Sequence, residues 1–364
     1  MILQKSKRPL QILIFFLIIT LLALNSYSKT GENCSTTSQI TKSRLSPLLF
    51  IDSIKSEITS NIFSTQIYKY SNFKSKYKDY KNVILVDLDS NKILFEKDAY
   101  EMVEIASITK MMSILIIMED IEKGIISLTD TLIASRASSI IGGSQIYLKE
   151  KEKMDVENLL KSVIIKSAND ATFLFAETLA EDGQISTFIK RMNETAKRIG
   201  MNNTIFYYPH GLPPSWADRK KKKIPGNLST CYDLTLLTKE LLKYPKVTEY
   251  SSIWLDSVRT GPGQKPFQLR NTSRLIKDYK YFDGLKTGFY NRAGFCIVAT
   301  AMKEERRLVA VVLGSRNQKR RNWFTRDLVY WGYSEIELAK LKELEKKLEK
   351  EKFSKLNENL KNND

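Results

Sequence analysis

Three short strings occur in one order along this chain of 364 residues: Ser107-Ile108-Thr109-Lys110, Ser167-Ala168-Asn169 and Lys286-Thr287-Gly288. Between them they supply a hydroxyl with an amine three places on, a hydroxyl beside an amide, and a second amine beside a hydroxyl. Those are the parts needed for acyl transfer through a serine ester. Each string is weak alone. Ser26, Ser71 and Ser75 also precede a lysine by three places, and Lys29-Thr30-Gly31 repeats the third string. Order, spacing and local context separate the set from these decoys.

Ser107 and Lys110 open a helical stretch, and at that separation they share one face with adjacent side chains. Backbone N–H groups and the positive end of the helix dipole favour negative charge developing there. An N-cap serine followed by a surface lysine would satisfy the same spacing. Against that reading, Met111, Met112, Ile114 and Leu115 follow Lys110, so the lysine is expected to be buried with no acid nearby. A lysine serves as a base only when neutral, and its ordinary pKa is about 10.4. Burial and a neighbouring cation both lower it, and Lys286 is the expected neighbour. Ser167 and Asn169 sit at a helix start, where Asn169 or Asp170 would also serve as a plain N-cap. Lys286-Thr287-Gly288 opens a strand. Lys286 and Thr287 offer a charge and a hydroxyl to a substrate carboxylate, and Gly288 leaves room for a substrate along the strand edge.

What is missing narrows the chemistry further. The chain has one histidine, His210, in the turn-like Tyr208-Pro209-His210-Gly211, which excludes a zinc peptidase of the His-Glu-x-x-His type. No Gly-x-Ser-x-Gly elbow is present for a Ser-His-Asp triad, so His210 is expected to be structural and the base to be a lysine. Cys34, Cys231 and Cys296 contain no close pair for a metal site, and buried free thiols are favoured over a Cys231–Cys296 bridge. No cofactor or metal is expected.

The elements that must position these groups follow from patterning. Val83 to Leu88 and Ile93 to Lys97, joined by the polar turn Asp89-Ser90-Asn91-Lys92, read as a β-hairpin. Ser107 to Lys123 is a helix apolar nearly all round, hence buried in the middle of the domain. Val156 to Lys166 and Asp170 to Ala180 are two more helices, with Ser167 in the break between them. Ile185 to Ile199 and Tyr232 to Lys243 extend this helical middle. Strands return over Thr287 to Met302 and Leu308 to Gly314, and a helix from about Asn322 to Tyr330 follows. The fold class is α/β in the α+β sense: an antiparallel sheet built from both ends of the domain, with a helical insertion between.

Outside that domain the sequence changes character. Lys5, Lys7 and Arg8 precede the apolar run Leu10 to Leu24, and small residues follow at Ser26 and Ser28, so residues 1–28 read as a signal peptide or N-terminal anchor. As a helix the run spans about 22 Å, short of the bilayer core of roughly 30 Å, which favours an export signal over an anchor. The basic flank leaves the N-terminus in the cytoplasm and places the rest outside, in the periplasm or on the outer face of the cytoplasmic membrane. Residues 29–81 form a polar linker or arm, 82–334 the catalytic domain, and 335–364 a charged helical or disordered tail. The tail holds eight lysines and eight acids. The formal charge of +17 favours polyanionic neighbours. It is scattered apart from Arg219-Lys220-Lys221-Lys222-Lys223, a solvated loop, and no nucleic-acid module accompanies it, so nucleic acid is not an expected partner.

With these residues in view, the chain resembles the serine D-alanyl-D-alanine carboxypeptidases, the low-molecular-mass penicillin-binding proteins that share a fold with β-lactamases. The likeness covers about Val83 to Tyr333. It extends to Gly143-Ser144-Gln145-Ile146-Tyr147-Leu148, Ser167-Ala168-Asn169-Asp170-Ala171, Pro209-His210-Gly211-Leu212 and Asp283-Gly284-Leu285-Lys286-Thr287-Gly288. The resemblance implies a β-lactamase/transpeptidase-like fold in which Ser107 is acylated and Lys110 takes its proton. Ser167 would relay a proton to the leaving amine, and Asn169 would hold the substrate amide. Lys286 and Thr287 would engage the terminal carboxylate beside Gly288. The N–H groups of Ser107 and Phe289 would form the oxyanion hole. Arg321 matches an arginine near that carboxylate, and Arg270 is a further substrate-binding candidate whose match needs a gap.

The implied substrates are peptidoglycan stem peptides ending in D-Ala-D-Ala, with β-lactams as covalent inhibitors. A D,D-endopeptidase would use the same residues. A class A β-lactamase would need a Glu-x-x-Leu-Asn segment after the Ser-x-Asn string, and none occurs. The chain departs from the pattern at Phe289, where the family usually has histidine. Many relatives also continue into a β-rich second domain and an amphipathic anchor, whereas about 30 highly charged residues with no apolar face follow Tyr333 here. Membrane attachment is therefore expected only through an uncleaved N-terminal segment.

Overall fold

Side chains that alternate between two buried faces define the central sheet. Val83 and Leu85 of the first strand pack on one face, Ile84 and Val86 on the other. Two later strands divide the same way: Ile297, Ala299, Ala310 and Val312 join Val83, while Val298, Val309 and Val311 join Ile84. With both faces covered, these strands read as near-continuous apolar runs. The computed structural model describes residues 80–212 and 226–361. The N-terminal apolar run, nearly all of the 29–81 arm and the Arg219–Lys223 stretch lie outside the described residues.

The sheet contains β1 (Asn82–Asp87), β2 (Lys92–Lys97), β9 (Phe282–Tyr290), β10 (Gly294–Lys303) and β11 (Arg306–Ser315). They are antiparallel, in the order β2-β1-β11-β10-β9, so both ends of the domain build it and β9 is an edge. Short strands pair two by two: β3 (Val103–Glu104) with β6 (Leu228–Ser229), β4 (Thr131–Ile133) with β5 (Lys153–Asp155), and β7 (Leu255–Val258) with β8 (Phe267–Arg270). On the face carrying Ile84 lie α1 (Lys110–Glu122), α2 (Val156–Lys161), α3 (Asn169–Thr178), α4 (Ile185–Arg198) and α5 (Cys231–Leu241). On the other face packs α6 (Gln318–Lys361), through Phe324, Leu328 and Val329. Cys231 and Cys296 are free and buried.

Three features differ from the sequence expectations. The apolar run Thr287 to Met302 is two strands, broken by a turn at 291–293 that closes on Gly294 with φ of 68°. Neighbouring aromatic and small residues hide that turn from a hydropathy reading. The β7–β8 hairpin escaped notice because each strand is four residues long. The 334/335 division falls inside a helix, since α6 runs unbroken from Gln318 to Lys361. Tyr333 Oη donates to the carbonyls of Ala301 (2.8 Å) and Arg306 (3.1 Å), and Ile336 is buried, so the sheet holds the helix past that point. Good helix formers and ion pairs such as Glu343–Lys347 carry it onward.

Candidate active site

Ser107 does not cap α1. It lies in a 3₁₀ turn, Ala106–Thr109, that leads straight into α1 at Lys110. Ala106 enters the turn with φ of 47°, a left-handed conformation rare for residues with a side chain. Neighbouring backbone holds it there. A Cβ on Gly211 would sit 2.1 Å from the Ala106 carbonyl oxygen, so only glycine lets the 209–212 segment pack this closely. Asn227 secures the same segment, donating to Thr109 Oγ1 (2.8 Å) and the Tyr208 carbonyl (2.7 Å).

Lys110 is fully buried, as expected from its apolar neighbours. Its Nζ donates to Asn169 Oδ1 at 2.5 Å and to the His210 carbonyl at 2.5 Å, and it lies 3.2 Å from Ser107 Oγ. Asn169 Nδ2 donates to the Gly142 carbonyl (2.8 Å), which fixes which end of the carboxamide faces the lysine. A neutral amine has two N–H bonds and one lone pair. The two short contacts are to pure acceptors and take the hydrogens, so the lone pair is left for the Ser107 hydroxyl. Burial, and then the charge of Lys286, push the Lys110 pKa well below the ordinary lysine range, partly opposed by Asp170.

Ser167 follows a π-helical turn, Ser162–Lys166, that extends α2, and takes a left-handed conformation (φ 64°, ψ 37°) before α3 begins. Its Oγ is buried with no hydrogen-bond partner among the described residues. Asn169 has a role beyond the one expected. Its carboxamide is engaged by protein at both ends, so it orients Lys110, and one Nδ2 N–H and one Oδ1 lone pair are left over for a substrate amide. The expectation of no acid near Lys110 fails. Asp170 is completely buried and accepts from the N–H groups of Ile146 (3.1 Å) and Leu148 (3.1 Å). It ties the 143–148 segment to α3.

Edge strand β9 carries the third string. Lys286 is buried, and its Nζ donates to the Thr287 carbonyl at 3.1 Å. Burial, reinforced by the charge of Arg321, lowers its pKa to about 7. Buried at the back of the cleft, it acts on Lys110 through its charge. Thr287 Oγ1 donates to Thr272 Oγ1 (2.7 Å). Gly288 packs against the nucleophile turn and also lines the cleft, so a side chain there is excluded by the turn as well as by the room a substrate would need. Phe289 is half exposed and stacks on Phe295, ring centroids 4.0 Å apart. Arg321 is buried and donates to the Cys296 carbonyl (3.1 Å), burial lowering its pKa to about 10. Arg270 is exposed at the end of β8.

A cleft of about 740 Å³ runs between these elements, with Ser107, Ser167, Thr287, Phe289, Arg270 and Arg321 on its wall. Lys110, Asn169 and Lys286 stand behind that wall. His210 contributes through its backbone carbonyl. Its ring lies between Phe173 and Tyr208, and burial holds its pKa at about 3. Sequence reasoning found the His210 segment only as a likeness. It missed Asn227 and Thr272, which bear no pattern that a linear reading detects.

Comparison with known proteins agrees with this geometry. A family profile described as D-alanyl-D-alanine carboxypeptidase matches residues 73–317. The chain is 37% identical over 257 residues to D-alanyl-D-alanine carboxypeptidase DacF of Bacillus subtilis, covering 71% of this chain and 63% of that protein. It is 33% identical over 257 residues to DacC of Escherichia coli, covering 69% and 60%. It thus spans about three-fifths of the length of these curated relatives. Among solved structures, DacD of Francisella tularensis superposes with a TM-score of 0.64 at 25% identity, covering 70% of each chain. Penicillin-Binding Protein D2 of Listeria monocytogenes in its ampicillin-bound form gives 0.61 at 28% identity, covering 71% of this chain and 98% of that one. The fold is the penicillin-binding, transpeptidase-like one, and the chain belongs to the D-alanyl-D-alanine carboxypeptidase family.

Proposed function

We propose that this chain is a serine D,D-carboxypeptidase that removes the terminal D-alanine from peptidoglycan stem peptides outside the cytoplasmic membrane. The observation that carries the reading is the placing of Lys110 Nζ 3.2 Å from Ser107 Oγ, held there by Asn169 and the His210 carbonyl. Ser107 Oγ bonds to the carbonyl carbon of the penultimate D-alanine while its proton passes to Lys110 Nζ. The C–N bond then breaks. The proton reaches the leaving amine by way of Ser167 Oγ, whose unpartnered hydroxyl on the cleft wall suits a relay. Water opens the acyl-serine, releases the shortened peptide and restores both side chains.

β-Lactams are proposed to acylate the same hydroxyl, an extension supported by the ampicillin-bound Listeria monocytogenes relative. The test is release of free D-alanine from a synthetic stem pentapeptide, with Ser107→Ala as the control. Release by the wild type and its loss in the variant are expected. Unchanged release by Ser107→Ala would overturn the assignment.

A further inference from the structure

The lining of the cleft is one-sided in charge. Of its 17 residues five are Lys or Arg and none is Asp or Glu. The whole chain, with 58 basic and 41 acidic residues in 364, would place about three bases and two acids in such a sample. Two of the lining cations, Arg270 and Arg321, already stand as candidates for the terminal carboxylate. Lys166, Arg274 and Lys277 exceed what that single group needs.

These three are also poorly neutralised. Lys166, on the π-helical turn beside Ser167, makes no side-chain hydrogen bond or ion pair among the described residues. Arg274 has only Asp278, 3.8 Å away, with both side chains exposed. Lys277 stands over the Trp254 ring, 5.5 Å from its centroid, and Trp254 itself lines the cleft. Some exposed cations elsewhere on the molecule do meet acids, as Lys246 meets Glu249 and Lys243 meets Glu240. Within the cleft the positive field is left for a ligand.

We propose that Lys166, Arg274 and Lys277 form a second anion subsite, which selects stem peptides carrying a free carboxylate ahead of the D-Ala-D-Ala end. This rests on the carboxypeptidase reading and adds a substrate preference to it. Two stem pentapeptides serve as probes, identical except that one acidic residue bears a carboxylate in the first and a carboxamide in the second. kcat/KM for D-alanine release is measured for each. The wild type should prefer the carboxylate about 10-fold at low salt, and the preference should shrink as ionic strength rises.

In Lys166→Met/Lys277→Gln the ratio should fall close to one. Equal wild-type rates on the two peptides, or a preference that ignores salt, would overturn the subsite whether or not the double variant folds. So would an undiminished ratio in a folded double variant. Equal rates leave the carboxypeptidase reading standing, whereas no D-alanine from either peptide and no penicillin adduct would remove both.

Discussion

Gly288 lies so close to Ser107 that a Cβ there would sit 3.0 Å from the Ser107 nitrogen and 2.7 Å from the Ile105 carbonyl oxygen. Both are backbone atoms, which cannot swing aside. Gly288→Ala should therefore shift the nucleophile turn against β9 and cut kcat/KM by about 10²-fold or more, since misplacement near 1 Å has that effect. Steady-state kinetics on a variant with native circular dichroism checks it.

Lys110 must be neutral to act. Its pKa lies well below the usual lysine value, so the amine is free at higher pH and takes a proton as pH falls. kcat/KM should rise with pH to a plateau. Lys110→Arg, which cannot give up its proton near neutrality, should lose about 10²–10⁴-fold across the whole range. A pH–rate series on both proteins tests the pair of statements.

Asp170 is the anion that raises the Lys110 pKa. Asp170→Asn should move the acid limb of the pH–rate profile to lower pH. It should also cost about 1–3 kcal/mol of stability, because Ile146 and Leu148 lose a charged acceptor. The limb shift separates an electrostatic role from a purely structural one.

Lys286 carries a stability signature. Its folded pKa is about 7, against about 10.4 for an unperturbed lysine. Between those values the unfolded chain holds a proton that the folded one lacks, so this group makes stability rise with pH. Below about pH 7 its full burial cost is present. Lys286→Met should be inactive yet melt above the wild type at pH 7, with the gap closing toward pH 10. A gap that widens with pH would contradict the assignment.

The His210 ring is neutral throughout the working range, because burial holds its pKa near 3. His210→Asn keeps the carbonyl that accepts from Lys110. It should lower kcat/KM by less than about 10-fold and leave the pH limbs in place; a larger loss with a missing limb would mark the ring as an acid or base.

Much of this site was legible in the sequence because its chemistry lies in short strings on regular elements. The apolar run after Lys110 announced a buried amine, and the short apolar runs Val83–Leu88 and Leu308–Gly314 announced the sheet. What stayed hidden depends on contacts between distant segments. Nothing local to Asn169 shows that the carboxamide spans Lys110 and Gly142, or that Gly288 meets Ser107 across 181 positions. The unbroken α6 was hidden for another reason. A charged composition suits a frayed tail or a helix equally, and the choice was made by Tyr333 bonding to the sheet.

The central claim, that neutral Lys110 activates Ser107, is tested most directly by intact-mass measurement after exposure to penicillin, followed by mapping of the modified peptide. The account predicts one adduct, on Ser107, in the wild type and none over the same interval in folded Lys110→Ala. An adduct on another residue, or labelling of Lys110→Ala at the wild-type rate, would contradict it.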